Sequence, residues 1–521
     1  MKHLMKAAFA AAIFIMPFAQ TDVLAQGSCS ITVSNEAPGH IYDAYQIFAG
    51  NESGGILSDI EWGEGISGES LLAYLNQDED LSVIFAGCET AEDVSICLDG
   101  IMNDSATARK FASAADQYLL NYSGTTENAS GYVISSLDPG YYLVKDRDGS
   151  QTGTNDAYTR VILKTIGNET IQVKTGTVEA EKKVHENVKY PHSDTTLVTL
   201  PEGYNDVADY SIGEVIGYTL TGTLPVNYDD YTFYRCHFTD TFSAGLTADP
   251  SSVRVMCGQK DITSMFTVGY VNNVLTVNCE DLKADAEITA SSKITVFYNA
   301  VLNENAVIGL DGNPNTMYLE YSNNPNAGED TLGRTAEDRT IVFTYGIDIV
   351  KIAAQDKTDE TVTLADAEFE LLKGNQFAVA ENGKFVRWTD SEAEATKLVT
   401  DANGVVSLSG LDDGTYALRE VKAPAGYNRI REDLELIIAA DTENGQNWAF
   451  EPSEALTVID TEIDGIPCDT DVNTGMSRIM IANSQGAVLP STGGEGTGRL
   501  YLAGSVMIVL AGLWGLKERF S

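Results

Sequence analysis

Three residues near the C-terminus carry ionisable or amide side chains on faces that strand periodicity assigns to a core. In Ile347-Asp348-Ile349-Val350-Lys351 the period of two puts Lys351 with Ile347 and Ile349. Tyr416, Leu418 and Glu420 alternate in the same way, and Ile479-Met480-Ile481-Ala482-Asn483 sends Asn483 inward with the isoleucines. A buried ammonium is costly unless neutralised or paired. Burial disfavours the charged form of both an amine and a carboxyl, so the amine becomes a neutral nucleophile and the acid a proton donor. A protonated carboxyl polarises an Asn side-chain carbonyl, the amine attacks, the carboxyl shuttles protons and ammonia leaves. The product is a Lys–Asn isopeptide bond, so Lys351 is the expected donor, Glu420 the acid and Asn483 the acceptor.

Short strands must position these groups. Residues 179–346 contain Thr-, Val- and Tyr-rich runs such as Tyr218-Thr219-Leu220, Val274-Leu275-Thr276-Val277 and Ile294-Thr295-Val296-Phe297-Tyr298, separated by Gly, Asn, Asp and Pro clusters. That pattern predicts a β-sandwich. Residues 347–488 repeat the style in a smaller unit. Residues 26–178 mix strands with two expected helices, Glu69 to Leu75 and Ala106 to Leu120; in the second, Ala108, Phe111, Ala112, Ala115 and Leu119 form one apolar face. The fold class expected is mainly β, three β domains in tandem, the first with helical insertions.

Several segments extend this reading by resemblance. Asp348-Ile349-Val350-Lys351, Leu418-Arg419-Glu420-Val421-Lys422-Ala423-Pro424-Ala425-Gly426-Tyr427 and Ile481-Ala482-Asn483 resemble the collagen-adhesin B-type repeat, an immunoglobulin-like sandwich, of sortase-assembled pilins. That family's donor, acid and acceptor map onto Lys351, Glu420 and Asn483. Ser211 to Tyr218, Phe238-Thr239-Asp240-Thr241-Phe242 and Leu319-Glu320-Tyr321-Ser322-Asn323-Asn324-Pro325 resemble the middle domain of the same pilins. With strand alternation this implies a second set, Lys182, Asp240 and Asn323, with Lys183 and Asn324 as register-slipped alternatives. Gly39 to Phe48 and Gly140 to Asp146 are similar to the family's N-terminal domain, although Ser30 stands where a donor Lys is wanted and the acid segment ends in Asp146. The resemblance also implies an exposed linker Lys in a Tyr-Pro-Lys-Asn motif. No intact copy occurs; Lys174 sits at the expected place, and Lys189, before Tyr190-Pro191-His192, is its rival.

Both ends carry processing signals. Residues 1–25 run from Lys2 and Lys6 through the apolar stretch Ala7 to Phe18 to Val23-Leu24-Ala25, the order of a secretory signal peptide, and the mature chain is expected to begin near Gln26. Residues 489–521 hold Leu489-Pro490-Ser491-Thr492-Gly493, a Gly-rich spacer, an apolar stretch of about 17 residues from Leu500 and the tail Lys517-Glu518-Arg519. This array resembles the cell-wall sorting signal of Gram-positive bacteria, which implies cleavage between Thr492 and Gly493 and transfer of Thr492 to an amine on peptidoglycan or on another subunit.

Composition narrows the partners. With 76 acidic against 33 basic residues and a formal charge of −43, the chain is repelled by nucleic acid and anionic lipid. The five His fall in no zinc-protease motif, and neither a nucleophile elbow nor a phosphate-cradling loop occurs, so no cofactor or turnover chemistry is expected. Asp469-x-Asp471-x-Asn473-x-Gly475 departs from a calcium loop in its glycine and in Met480 at the twelfth position, and a turn is the simpler account, so no metal is assigned. Of seven cysteines in an exported chain, Cys88/Cys97 and Cys257/Cys279 are spaced for local disulfides.

The expectation is therefore a backbone pilin, the shaft subunit of a covalent surface pilus. The resemblance implies pilus-specific and housekeeping sortases, identical subunits, accessory pilins and peptidoglycan as partners, with transient membrane retention by the C-terminal span before anchoring in the wall. The alternative is a monomeric sortase-anchored adhesin binding host glycan or matrix protein.

Overall fold

The computed structural model describes residues 27–485 except 36–38, 103–104, 128–130, 151–157, 173–177, 188–192, 326–330, 355–361, 447 and 449. The signal segment, Lys174, Lys189 and the sorting segment from Leu489 onward lie outside the described residues. Among those described, no helix is long and apolar enough to cross a membrane. The chain divides into two compact units, the first running to Thr175 and the second beginning at Gly176.

In the first unit Cys29–Ser34 lies between Val133–Leu137 and Asn168–Gln172, and a second sheet orders Ile56–Trp62, Tyr42–Ser53, Gly140–Asp146 and Arg160–Thr165. Four helices, Gly68–Leu75, Ser82–Phe85, Ala91–Asp99 and Ala106–Asp116, are inserted after Ile56–Trp62. Two of these were expected. Ala91–Asp99 carries a short apolar stripe, Ala91, Val94 and Leu98, and its start is marked by the capping box in which Thr90 accepts from Asp93 N–H and the Asp93 carboxylate accepts from Thr90 N–H. The last helix stops at Asp116, short of Leu120, because Leu119 forms a β-bridge with Ile66.

The middle and C-terminal stretches fold together as the second unit, around two apolar cores. The first core lies between a six-stranded sheet containing Ala180–His185, Val215–Thr223 and Lys293–Leu302 and a seven-stranded sheet containing Cys236–Phe242, Val274–Cys279 and Asn313–Ser322. Along Asn313–Ser322 buried and half-buried residues alternate through Leu319, as an inward-facing strand requires. Asn272 and Asn273, both at positive φ, form the two-residue hairpin turn that sets Val274 opposite Val271 and Leu275 opposite Tyr270. The second core is wrapped by a sheet in which the first strand, Tyr345–Ala354, pairs in parallel with the last, Met476–Ser484. The two cores interlock because Val207, Ile341 and Phe343, contributed by the middle stretch, pack into the C-terminal core.

A fold test follows from Gly68, where an added Cβ would meet the Trp62 ring at 2.2 Å. Gly68→Ala is expected to destabilise the first unit by about 1–3 kcal/mol through overpacking. The check is a lower denaturant midpoint for that unit with the transition of the second unit unchanged.

Candidate isopeptide sites

In the C-terminal core the three expected residues meet. Lys351 comes from Tyr345–Ala354, Asn483 from the neighbouring parallel strand Met476–Ser484, and Glu420 from Gly414–Lys422 on the opposing side of the core. All are at most 1% exposed. The Lys351 ammonium donates to Asn483 Oδ1 at 2.5 Å and lies 3.2 Å from Glu420 Oε1, while Asn483 Nδ2 donates to the same Glu420 oxygen at 2.9 Å. One carboxyl oxygen therefore touches both the nitrogen that would attack and the nitrogen that would leave. The other oxygen accepts the Ile430 N–H at 2.6 Å, which holds the carboxyl in place. Burial outweighs the attraction of Glu420 and lowers the Lys351 pKa to about 8, which raises the neutral fraction of the amine near physiological pH far above that of an exposed lysine.

In the middle core the lysine and acid meet as expected. Lys182 Nζ lies 2.9 Å from both oxygens of Asp240 and from the Tyr298 hydroxyl, and Tyr298 in turn donates to Asp240. Lys182, Asp240 and Asn315 are all 0% exposed. The Tyr218 and Tyr298 rings lie 4.8 and 5.5 Å from the ammonium. Burial lowers the Lys182 pKa despite the neighbouring Asp240.

The acceptor expected here is corrected. Asn315, on Asn313–Ser322, donates to Asp240 at 3.3 Å and to Tyr298 at 3.1 Å, and its Oδ1 has no hydrogen-bond partner among the described residues. Asn323 shares the parity of Asn315 but lies beyond the end of that strand, roughly 25 Å further along at the rise of an antiparallel strand. The register pairs Asp240 with Met317 and Phe242 with Asn315, so the acid stands beside Asn315 and far from Asn323. The slipped alternatives do not enter the site either: Lys183 pairs with Asp206 at 2.7 Å, and Asn324 follows Asn323 past the strand end. Burial raises the Asp206 pKa to about 7 against the pull of Lys183. Tyr298 was also missed. Its signal was an inward tyrosine on a strand whose buried hydroxyl requires a partner.

The first unit holds a buried histidine–aspartate contact in place of a lysine site. Asp146, 0% exposed, contacts His40 Nδ1 at 2.7 Å and accepts the Thr159 N–H at 2.7 Å. Ser30 on the opening strand donates instead to Asn168.

The cysteine expectations divide. Cys88 and Cys97 bring their sulfurs to 3.6 Å. Cys257 and Cys279 belong to different sheets, and the residue opposite Cys279 is Cys236 on the adjacent strand. Around Asp471, the side chain accepts the Asn473 N–H and the backbone carbonyl accepts the Gly475 N–H, which forms a turn.

Comparison with known proteins follows the same division of the chain. Residues 212–325 match the family described as Gram-positive pilin backbone subunit 2, Cna-B-like domain, and residues 350–448 match the SpaA prealbumin-like fold domain. The chain is 24% identical to the trypsin-resistant surface T6 protein of Streptococcus pyogenes serotype M6, over 94% of this chain and 95% of that one. It is 30% identical over 95 residues to the collagen adhesin of Staphylococcus aureus, covering 18% of this chain and 7% of that one. The structure of the T6 backbone pilin of serotype M6 Streptococcus pyogenes superposes with a TM-score of 0.50 at 19% identity, covering 89% of this chain and 100% of that one.

The corrected acceptor has a direct test. In a protease digest analysed by tandem mass spectrometry, the peptide carrying Lys182 is expected to be joined to the peptide carrying Asn315. Asn323→Ala should leave that junction in place and Asn315→Ala should abolish it; a junction through Asn323 would contradict the assignment.

Proposed function

This chain is a backbone pilin of the Gram-positive type, and from that premise we propose that its two buried sites close as intramolecular isopeptide bonds and that a sortase links Thr492 to an amine of the next subunit. Its role is structural: it forms the shaft of a cell-surface pilus polymerised from identical subunits. The observation that carries the isopeptide reading is the contact of Lys351, Glu420 and Asn483 at near-zero exposure on strands that open, cross and close one core.

The neutral Lys351 amine attacks Asn483 Cγ and forms the new C–N bond. Glu420 accepts the proton the amine sheds and delivers it to Nδ2, the old C–N bond breaks, and ammonia leaves with the carboxyl regenerated. Lys182, Asp240 and Asn315 support the same sequence in the middle core, where Tyr298 helps to hold the acid. Such a bond closes a loop of more than a hundred residues. By the chain-entropy estimate used for disulfides, that destabilises the unfolded chain by about 5 kcal/mol. In the C-terminal core the bond joins the first strand to the last, so tension entering at Tyr345 would leave near Ser484 without loading the strands between.

Assembly requires an acyl donor and an amine on different subunits. Leu489-Pro490-Ser491-Thr492-Gly493 supplies the donor by its similarity to a sorting signal: the Thr492–Gly493 bond breaks, and the resulting acyl-enzyme is resolved by a lysine of another subunit or by peptidoglycan. A contact in which the C-terminal end of one copy joins a different surface of the next is heterologous, and when it does not close it propagates as a fibre. Lys174 is the proposed amine, with Lys189 as its rival.

In cells carrying the cognate sortase, Lys174→Ala should collapse the high-mass ladder of cell-wall extracts to monomer while wall anchoring persists. A ladder unchanged by Lys174→Ala and lost in Lys189→Ala would transfer the linker role. Absence of a ladder from the parent cells would overturn the proposed polymerisation and favour the monomeric adhesin.

A further inference from the structure

The helical insertion of the first unit holds two thiols in contact, and neither isopeptide site uses them. Cys88 lies in the segment between Ser82–Phe85 and Ala91–Asp99, and Cys97 in the last turn of Ala91–Asp99. Their sulfurs are 3.6 Å apart. The backbone around Cys88 is held from several sides: its N–H donates to the Phe85 carbonyl, its carbonyl accepts Asn76 Nδ2 at 3.2 Å, and Asn76 Oδ1 accepts the Gly87 N–H at 3.0 Å. The capping box of Thr90 and Asp93 fixes the start of the helix that carries Cys97. Two thiols brought into contact by a fixed backbone are within reach, by side-chain rotation, of the disulfide bond length of about 2.0 Å.

The two sulfurs differ in access. Cys88 is 8% exposed and belongs to an apolar core with Phe85, Val94 and Phe111, whereas Cys97 is half-buried against that core. Burial first, and then Cys97, push the Cys88 pKa up to about 11, so its thiolate is scarce at neutral pH. A disulfide arriving from solvent therefore meets Cys97 first. The insertion also gains from a covalent tie, because its helices run 8, 4, 9 and 11 residues, each short of the length at which a helix is stable alone. At a cell surface, away from the reducing cytosol, such a tie persists.

From this geometry we propose that Cys88 and Cys97 close as a disulfide that staples the helical insertion, by exchange with an external disulfide entering at Cys97. The Cys97 thiolate attacks one sulfur of the external disulfide, a mixed disulfide forms and one thiolate leaves. Cys88, already in contact with the Cys97 sulfur, gives up its proton and displaces the second thiolate. Two thiols of the chain are oxidised, one external disulfide is reduced to two thiols, and the two cysteine protons end on the departing sulfurs. The bond ties the Cys88 segment to the far end of Ala91–Asp99. It is independent of whether the isopeptide bonds form.

The test uses the full mature protein, reduced and then incubated with glutathione disulfide at neutral pH. After an acid quench, a glutamyl-specific protease that cuts at Glu89 and Glu92 separates the two cysteines for mass spectrometry. The unaltered protein should yield the Cys88 and Cys97 peptides joined, with two hydrogens lost. Cys88→Ser should retain glutathione on Cys97, and Cys97→Ser should leave Cys88 unmodified. Closure should raise the unfolding midpoint of the first unit by roughly 5–10 °C. Should a variant fold poorly, the peptide map and midpoint of the unaltered protein decide. Both thiols still free after prolonged exchange, either of them joined to a different cysteine, or a midpoint indifferent to closure would overturn the proposal. Glutathione on Cys88 in a folded Cys97→Ser protein would overturn entry at Cys97.

Discussion

A lysine ammonium enclosed in an apolar core is the constraint on which the second unit depends. At zero exposure neither Lys182 nor Lys351 is solvated by water, and each survives burial by polar contacts, Lys182 with the Asp240 carboxyl and the Tyr298 hydroxyl and Lys351 with the Glu420 carboxyl and the Asn483 amide. An ion pair of that kind is a weak source of stability, since the desolvation of both partners offsets much of their attraction. Conversion to a neutral amide removes the charge together with its desolvation cost. The same burial that makes the pair expensive lowers the lysine pKa, and so prepares the nucleophile. Fold and chemistry are thus one problem: strands must deliver amine, acid and amide to one point before any reaction begins.

The two sites solve it with different topologies. In the middle core Lys182 and Tyr298 come from one sheet while Asp240 and Asn315 come from the other, so a Lys182–Asn315 bond would join the faces of the sandwich. In the C-terminal core Lys351 and Asn483 are carried by adjacent parallel strands and the acid reaches in from across the core. What the sites share is the placement of the lysine on an opening strand and the asparagine on a late one. A covalent bond between such positions encloses nearly the whole domain.

Much of this was legible in the residues because alternation is a binary code. Lys351, Glu420 and Asn483 were readable since each sits at one step of a short isoleucine- or leucine-bearing run, where parity alone places it inward. Parity does not specify height along the strand. Asn315 and Asn323 lie on the same face, and only the register of Cys236–Phe242 against Asn313–Ser322 separates them. The same limitation explains Cys236 opposite Cys279, a long-range pairing that local spacing hides. The helix Ala91–Asp99 escaped because its apolar stripe, Ala91, Val94 and Leu98, spans only about two turns, and its start is marked by a cap, Thr90 with Asp93.

The central claim is that burial drives both sites to completion, and mass is its most direct measure. Each closure releases one ammonia, so the intact mass of the mature protein, measured under reducing conditions to exclude disulfides, should fall below the sequence mass by two ammonias. Asp240→Ala and Glu420→Ala should each restore one. A protein at its full sequence mass would contradict the account, and so would a deficit that persists when both acids are removed.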